Sequence, residues 1–332
     1  MQVKFKSSQS QMWILLSGIL LISLFMAIGC GAKKIDDYGE IPKMRAYLEN
    51  ILAANGAQLR PVSRSFDNYK AKLNFLMRIM FGSKNLRIHM RSYQSPHLAV
   101  ASFTQMENPP DSGYFMDLAY QLRPAAHIVA PLLHGDVIKP MPGIKGMFAV
   151  DFYNLNPEDL DVDEFLGDQL EKVKQALELV KPYQKTEEQG RGKLTPHLKP
   201  WKSQYRIELQ EPEVDDKESH QAYFKTVNQS FQMVLDAYFT ALGRLEEKGD
   251  AAVIKRNKQG HDKFIDTLDS EDIAARLSKW MFKDDYELFF MQGFWGRGEY
   301  GLPGADLSAQ PEAAAEPAAE TEPPAEPAAQ PE

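Results

Sequence analysis

A single cysteine in 332 residues excludes an intramolecular disulfide and every metal or iron–sulfur site built from several thiolates. Glycine-rich phosphate loops, a Gly-x-Ser-x-Gly elbow and a His-Glu-x-x-His helix are all absent from the sequence, so nucleotide-binding, serine-hydrolase and zincin chemistry lack their usual carriers. Basic runs are missing too. The net charge is −8, from 38 Lys+Arg against 46 Asp+Glu, and phosphate neutralisation needs clustered cations, so nucleic acid is not an expected partner. No internal repeat is visible. The seven histidines, at 89, 97, 127, 134, 197, 220 and 261, are scattered without ligand spacing, and no metal site is expected from them. What the chain does have is 43% hydrophobic and 11% aromatic residues, enough for a large core without covalent staples.

The two ends differ from the body. Residues 1–29 carry only Lys4 and Lys6 as charges, followed by an apolar run over 12–28 that ends in Gly29-Cys30. This is a secretory signal pattern. At 17 residues, with Ser17, Gly18 and Ser23 inside it, the run is short for a spanning helix, which needs about 20 apolar residues. Ala27-Ile28-Gly29-Cys30 resembles the bacterial lipoprotein box, which implies cleavage before Cys30, lipid attachment to its thiol and residence on a membrane of the cell envelope, the outer one where there are two. The alternative is an uncleaved anchor. Residues 309–332 hold nine Ala, six Pro and six Glu, a composition with nothing larger than Ala to bury, and a disordered tether is expected over 301–332. Most of the net charge therefore belongs to the tail, leaving −4 for residues 30–308.

The body, 41–300 after a linker over 30–40, alternates apolar patterns of two periods. Met44, Tyr47, Leu48, Ile51 and Leu52 predict a helix over 42–54 that Asn55-Gly56 stops. Strands are expected near 86–93, 98–104, 114–122, 127–133 and 146–153, separated by Pro- and Gly-containing turns. A helix over 162–181, a sixth strand near 204–210, a long helix marked by Tyr223 to Leu242 and a last helical region over 270–291 follow. Short turns make neighbouring strands antiparallel. The expected fold is α+β: one antiparallel sheet with helices packed on both faces, an α/β/α sandwich, with a two-domain split near residue 185 as the alternative.

The segment Arg91-Ser92-Tyr93-Gln94-Ser95-Pro96 resembles the Arg-x-Tyr-Gln-[Thr/Ser]-Pro strand of the ferredoxin-dependent bilin reductases. Further segments follow in the family's order. His127-Ile128-Val129-Ala130 resembles its Asp-Ile-Val-Ala strand, Lys199-Pro200-Trp201 with Gln204-Tyr205 its Pro-Trp strand entry, and Gly260-His261-Asp262-Lys263 its Asn-Asp-Lys segment. Residues 275–295 resemble its terminal helix, and the red chlorophyll catabolite reductases are more remote relatives of the same fold. The resemblance implies a linear tetrapyrrole held between the sheet and the C-terminal helices, no bound flavin or metal, and electrons arriving singly from an external donor. It implies His127, in place of the family's strand aspartate, Asp117 and His261 as candidate proton donors. Thr104 falls near the family's hairpin glutamate. Arg91, Tyr93, Arg191, Lys193, Asp262 and Lys263 are the ligand-binding candidates it implies.

Three functional readings follow. A cytoplasmic ferredoxin could not reach an exported lipoprotein, so the first is a lipid-anchored exported protein that binds a tetrapyrrole or a similar flat apolar ligand. The second is a divergent bilin reductase using another one-electron donor, and the third a scaffold lipoprotein without a ligand.

Overall fold

A computed structural model describes residues 39–297, apart from 60–66, 73–84, 96, 108–115, 125–129, 139–146, 157–158, 186–195, 213–215, 246–250, 272–278 and 280–285. Cys30, the segment around it, the C-terminal tail, His127, Arg191 and Lys193 lie outside the described residues.

Helix α1 (Glu40–Ala54) leads into short strands β1 (Gln58–Leu59) and β2 (Asp67–Lys72), which both pair with β3 (Asn85–Gln94). From there β4 (Leu98–Glu107), β5 (Met116–Pro124), β6 (Leu132–Ile138) and β7 (Met147–Tyr153) add one after another. Every described pairing is antiparallel. After α2 (Val162–Leu166) and α3 (Leu170–Val180), strand β8 (Ile207–Gln210) closes the edge against β7. Among the described residues α4 (Lys217–Leu242), α5 (Ala251–Glu271) and a π-helix at Tyr286–Phe294 follow.

One face of the sheet is the main core. Leu133 and Val137 of β6, Phe148, Val150 and Phe152 of β7, and Ile207 and Leu209 of β8 alternate onto it and are buried against α1, α2, α3 and α4. Each fully buried side chain of this size contributes about 1.5–3 kcal/mol before chain entropy is charged against it. The long α4 runs through the middle of this layer. Asp216 caps its first turn by accepting from the Ser219 amide at 2.7 Å, and Tyr238 donates its hydroxyl to the carbonyls of Leu122 and Pro131, both at 3.1 Å. The opposite face carries α5 and the π-helix, so helices cover both sides of one antiparallel sheet.

Two expectations need correcting. Of the strand anticipated over 127–133, residues 127–129 lie outside the described residues, and β6 runs past the anticipated end, from Leu132 through His134-Gly135-Asp136 to Ile138. Proline at 131 cannot donate to a ladder, and polar residues on alternate positions disguised the strand that follows it. The second concerns α5. Its sequence reads as charged and includes Gly260, so no helix was expected there. The buried side nevertheless has helical spacing, through Asn257, Gly260, His261, Phe264, Ile265 and Leu268. Two of these are polar and one has no side chain, which is why the stripe was invisible. Gly260 is required by proximity: a Cβ there would fall on the side-chain amide of Asn156.

Candidate functional site

Residues directly opposed in antiparallel strands share a face, so the register defines what lies beneath α5 and the π-helix. One row crosses the sheet as Ser92, Ser102, Gln121, His134 and Asp151. The next holds Met90, Thr104, Ala119, Asp136, Ala149 and Glu208. A sheet face that packs on helices is ordinarily apolar, yet here Ser92, Asp136, Asp151 and Glu208 are all buried. Buried ionisable groups are costly unless satisfied, and their collection on one face marks it as a candidate functional surface.

Asp151 is the best defined of them. Its Oδ1 accepts three hydrogen bonds, from the Phe152 amide at 2.9 Å, the Ser203 amide at 3.2 Å and the Ser203 hydroxyl at 3.0 Å. Among the described residues its Oδ2 has no hydrogen-bond partner. Burial pushes the carboxyl up to about 7, against the opposing pull of the Ser203 bonds and the Arg206 charge. Ser203 reaches it because residues 196–201 wind back as a 3-10 helix, with the Trp201 carbonyl accepting from the Asn154 amide at 3.1 Å. Arg206 pairs with buried Glu208 at the entry to β8.

The cover is aromatic. His134 lies 5.3 Å from the Trp295 ring and 6.4 Å from that of Tyr153, centroid to centroid. Phe264 of α5 joins them, 5.5 Å from Tyr153, 5.9 Å from Trp295 and 5.5 Å from Trp201. His261 is only 1% exposed, and its Nε2–H donates to the Trp295 carbonyl at 2.9 Å. Arg297 then ties this end of the chain to α5. Its guanidinium meets Glu287 at 2.8 Å, Asp269 at 3.1 Å and Asp266 at 3.3 Å. Asp269 also accepts from the Tyr286 hydroxyl at 2.8 Å and pairs with Lys279 at 2.7 Å. Although burial opposes it, these donors hold the Asp269 carboxyl below the ordinary range.

Of the residues singled out in the sequence, His261 stands in this cover. Asp117 holds a register position opposite Ile138 and Met106, one row beyond Asp136 and on the same side of the sheet. Arg91 and Tyr93 belong to the other side. Arg91 reaches Glu49 of α1 at 3.1 Å, and Tyr93 packs against the main core, where burial raises its hydroxyl pKa. Asp262 is half-buried and Lys263 exposed, turned away from the buried stripe of α5. His134, Asp136 and Asp151 do not stand out in the sequence as a site. A signal did exist, since His134 and Asp136 are two apart between apolar neighbours, but it becomes readable only once β6 is placed correctly. Among the described residues no group of three His, Cys, Asp or Glu is placed to hold a metal ion, and no helix is long and apolar enough to cross a membrane.

No family model and no curated protein matches the chain. Solved structures do. The crystal structure of a phytochromobilin synthase from tomato, a ferredoxin-dependent bilin reductase in complex with biliverdin, superposes with a TM-score of 0.56 at 12% identity, over 77% of this chain and 82% of that chain. At that identity the likeness concerns architecture: the chain has a remote bilin-reductase-like fold.

Proposed function

We propose that the chain binds a linear tetrapyrrole, or a flat apolar ligand of similar shape, between the sheet face of His134 and Asp151 and the cover formed by α5 and the π-helix. The observation that carries this reading is the row of buried polar groups on a helix-covered sheet face, in a fold shared with a protein crystallised with biliverdin. A bilin is a conjugated, mostly apolar body edged with N–H, imine and carbonyl groups. It suits aromatic walls such as Phe264 and Trp295 with a few fixed polar partners. Attachment through Cys30 to a membrane lipid of the cell envelope belongs to the same proposal, and so does the division into signal, linker, sandwich and tail.

Full-length protein in detergent, mixed with biliverdin, should shift and narrow the visible absorption of the pigment. His134→Ala should change the spectrum of the complex. An unaltered pigment spectrum with folded wild-type protein would count against the reading. For the anchor, Cys30→Ser should leave an unprocessed, unlipidated precursor, and unchanged mass and fractionation would defeat it.

A second reading, a divergent bilin reductase, draws support from Asp151, whose carboxyl sits near neutrality as a proton donor's must. It requires an external one-electron donor. Anaerobic addition of such a donor to the biliverdin complex separates the two, because only a reductase converts the pigment into reduced products.

A further inference from the structure

The two oxygens of Asp151 are unlike. Oδ1 accepts from three donors, the Phe152 amide, the Ser203 amide and the Ser203 hydroxyl, and an oxygen so surrounded by hydrogens has no room for one of its own. A proton on this carboxyl must therefore reside on Oδ2, the buried oxygen with no hydrogen-bond partner among the described residues. Resting on the tetrapyrrole reading above, we propose that Asp151 serves the ligand as a neutral acid. Its Oδ2–H donates a hydrogen bond to an acceptor atom of the ligand, a lactam carbonyl oxygen or an imine nitrogen, while Ser203 is the positioning residue that decides which oxygen carries the proton.

The surroundings agree. His134 stands opposite Asp151 on β6, Asp136 lies two residues along that strand, Arg206 and Glu208 flank it from the β8 side, Lys202 bridges to Tyr153, and His261 belongs to the helix above. Arg206, whose charge favours ionisation, is paired with Glu208, and burial prevails, so the acid stays protonated into the neutral range. A carboxyl kept neutral in this way is a directional donor rather than an anion, and the ligand group it selects is an acceptor.

The substitutions Asp151→Asn, Asp151→Ala and Ser203→Ala separate the possibilities. Asparagine reproduces the neutral acid: its carbonyl can accept the three bonds of Oδ1 and its NH2 donates where Oδ2–H did. Biliverdin affinity of wild-type protein should fall about tenfold per pH unit once Asp151 ionises. Asp151→Asn should hold its low-pH affinity across the same range, and Asp151→Ala should bind at least tenfold more weakly at low pH. Ser203→Ala should move the wild-type pH profile upward, because it removes the hydroxyl bond that favours the carboxylate while the backbone amide bond stays. Equal pH profiles for wild type and Asp151→Asn, with both binding, would overturn the inference while leaving ligand binding intact. The infrared difference between ligand-free wild type and Asp151→Asn reads the protonated carboxyl directly. A carboxylic-acid band that disappears as pH rises through neutrality, with no biliverdin binding in any variant, would overturn the ligand reading and with it the donor role. A carboxylate band at low pH would overturn the neutral acid outright.

Discussion

His261 and Trp295 are joined by a bond from the imidazole Nε2–H to the backbone carbonyl at 2.9 Å, and this contact fixes the end of the π-helix to the middle of α5. The same tryptophan turns its ring to His134 on the sheet. One histidine thus ties the cover above the candidate site to α5 through a backbone carbonyl.

Replacing that histidine tests the arrangement. His261→Phe fills the volume but leaves the Trp295 carbonyl without its donor, at an expected cost of about 1–3 kcal/mol. Urea denaturation should show the loss, and tryptophan fluorescence should show Trp295 moving before global unfolding. An unchanged midpoint would mean that the bond does not hold the cover.

Gly260→Ala should be destabilising even though alanine is the better helix former by about 1 kcal/mol. The new methyl would strike the side-chain amide of Asn156, whose backbone N–H and Nδ2–H donate to the Asp159 carboxylate at 2.9 and 3.3 Å. Combining Gly260→Ala with Asn156→Ala should recover much of the loss. Additive costs in that double-mutant cycle would rule out the clash.

Asp151 makes stability depend on pH in a stated direction. Below about pH 3.8 both folded and unfolded chains hold its proton, and above about pH 7 both have released it. Between those values the unfolded chain ionises first, the folded chain binds more protons, and stability falls as pH rises, by up to about 4 kcal/mol from this group. The difference between wild type and Asp151→Asn, measured by denaturation at several pH values, isolates it from every other carboxyl. A flat difference would contradict the buried neutral acid.

Arg297→Gln should loosen the π-helix by releasing Glu287, Asp266 and Asp269 together. The guanidinium is about a quarter exposed, so solvent screening limits the cost to about 1 kcal/mol, smaller at high salt. Hydrogen exchange should accelerate over the π-helix and the last turn of α5. Equal protection in wild type and variant would show that the ion network is ornamental to the cover.

The main core was legible because its residues obey a single period. Met44, Leu48 and Leu52 on α1, or Phe231, Val234 and Leu235 on α4, are apolar positions that bury toward one neighbour, and alternation does the same for Phe148, Val150 and Phe152. The opposite face was not legible, for the reason that makes it a candidate site. There the buried positions are Asp136, Asp151, Asn257 and His261, with His134 half-buried beside them, and hydropathy assigns such residues to solvent. Arg91 and Tyr93 drew attention as a motif, but a strand's period of two sends them to the α1 side, away from His134.

Sequence alone therefore determined the α+β class, the antiparallel sheet and the layer of α1 to α4, because these depend on periodic burial of apolar side chains, a local property of the chain. Tertiary structure decided which polar residues meet. His134 and Asp151 are neighbours only through the β6–β7 register, Ser203 reaches Asp151 from 52 positions away, and Trp295, just past the π-helix, arrives over His134 from far along the chain. Register, chain return and helix docking are set by long-range packing, and that is where a single cysteine and scattered histidines stop being informative one at a time.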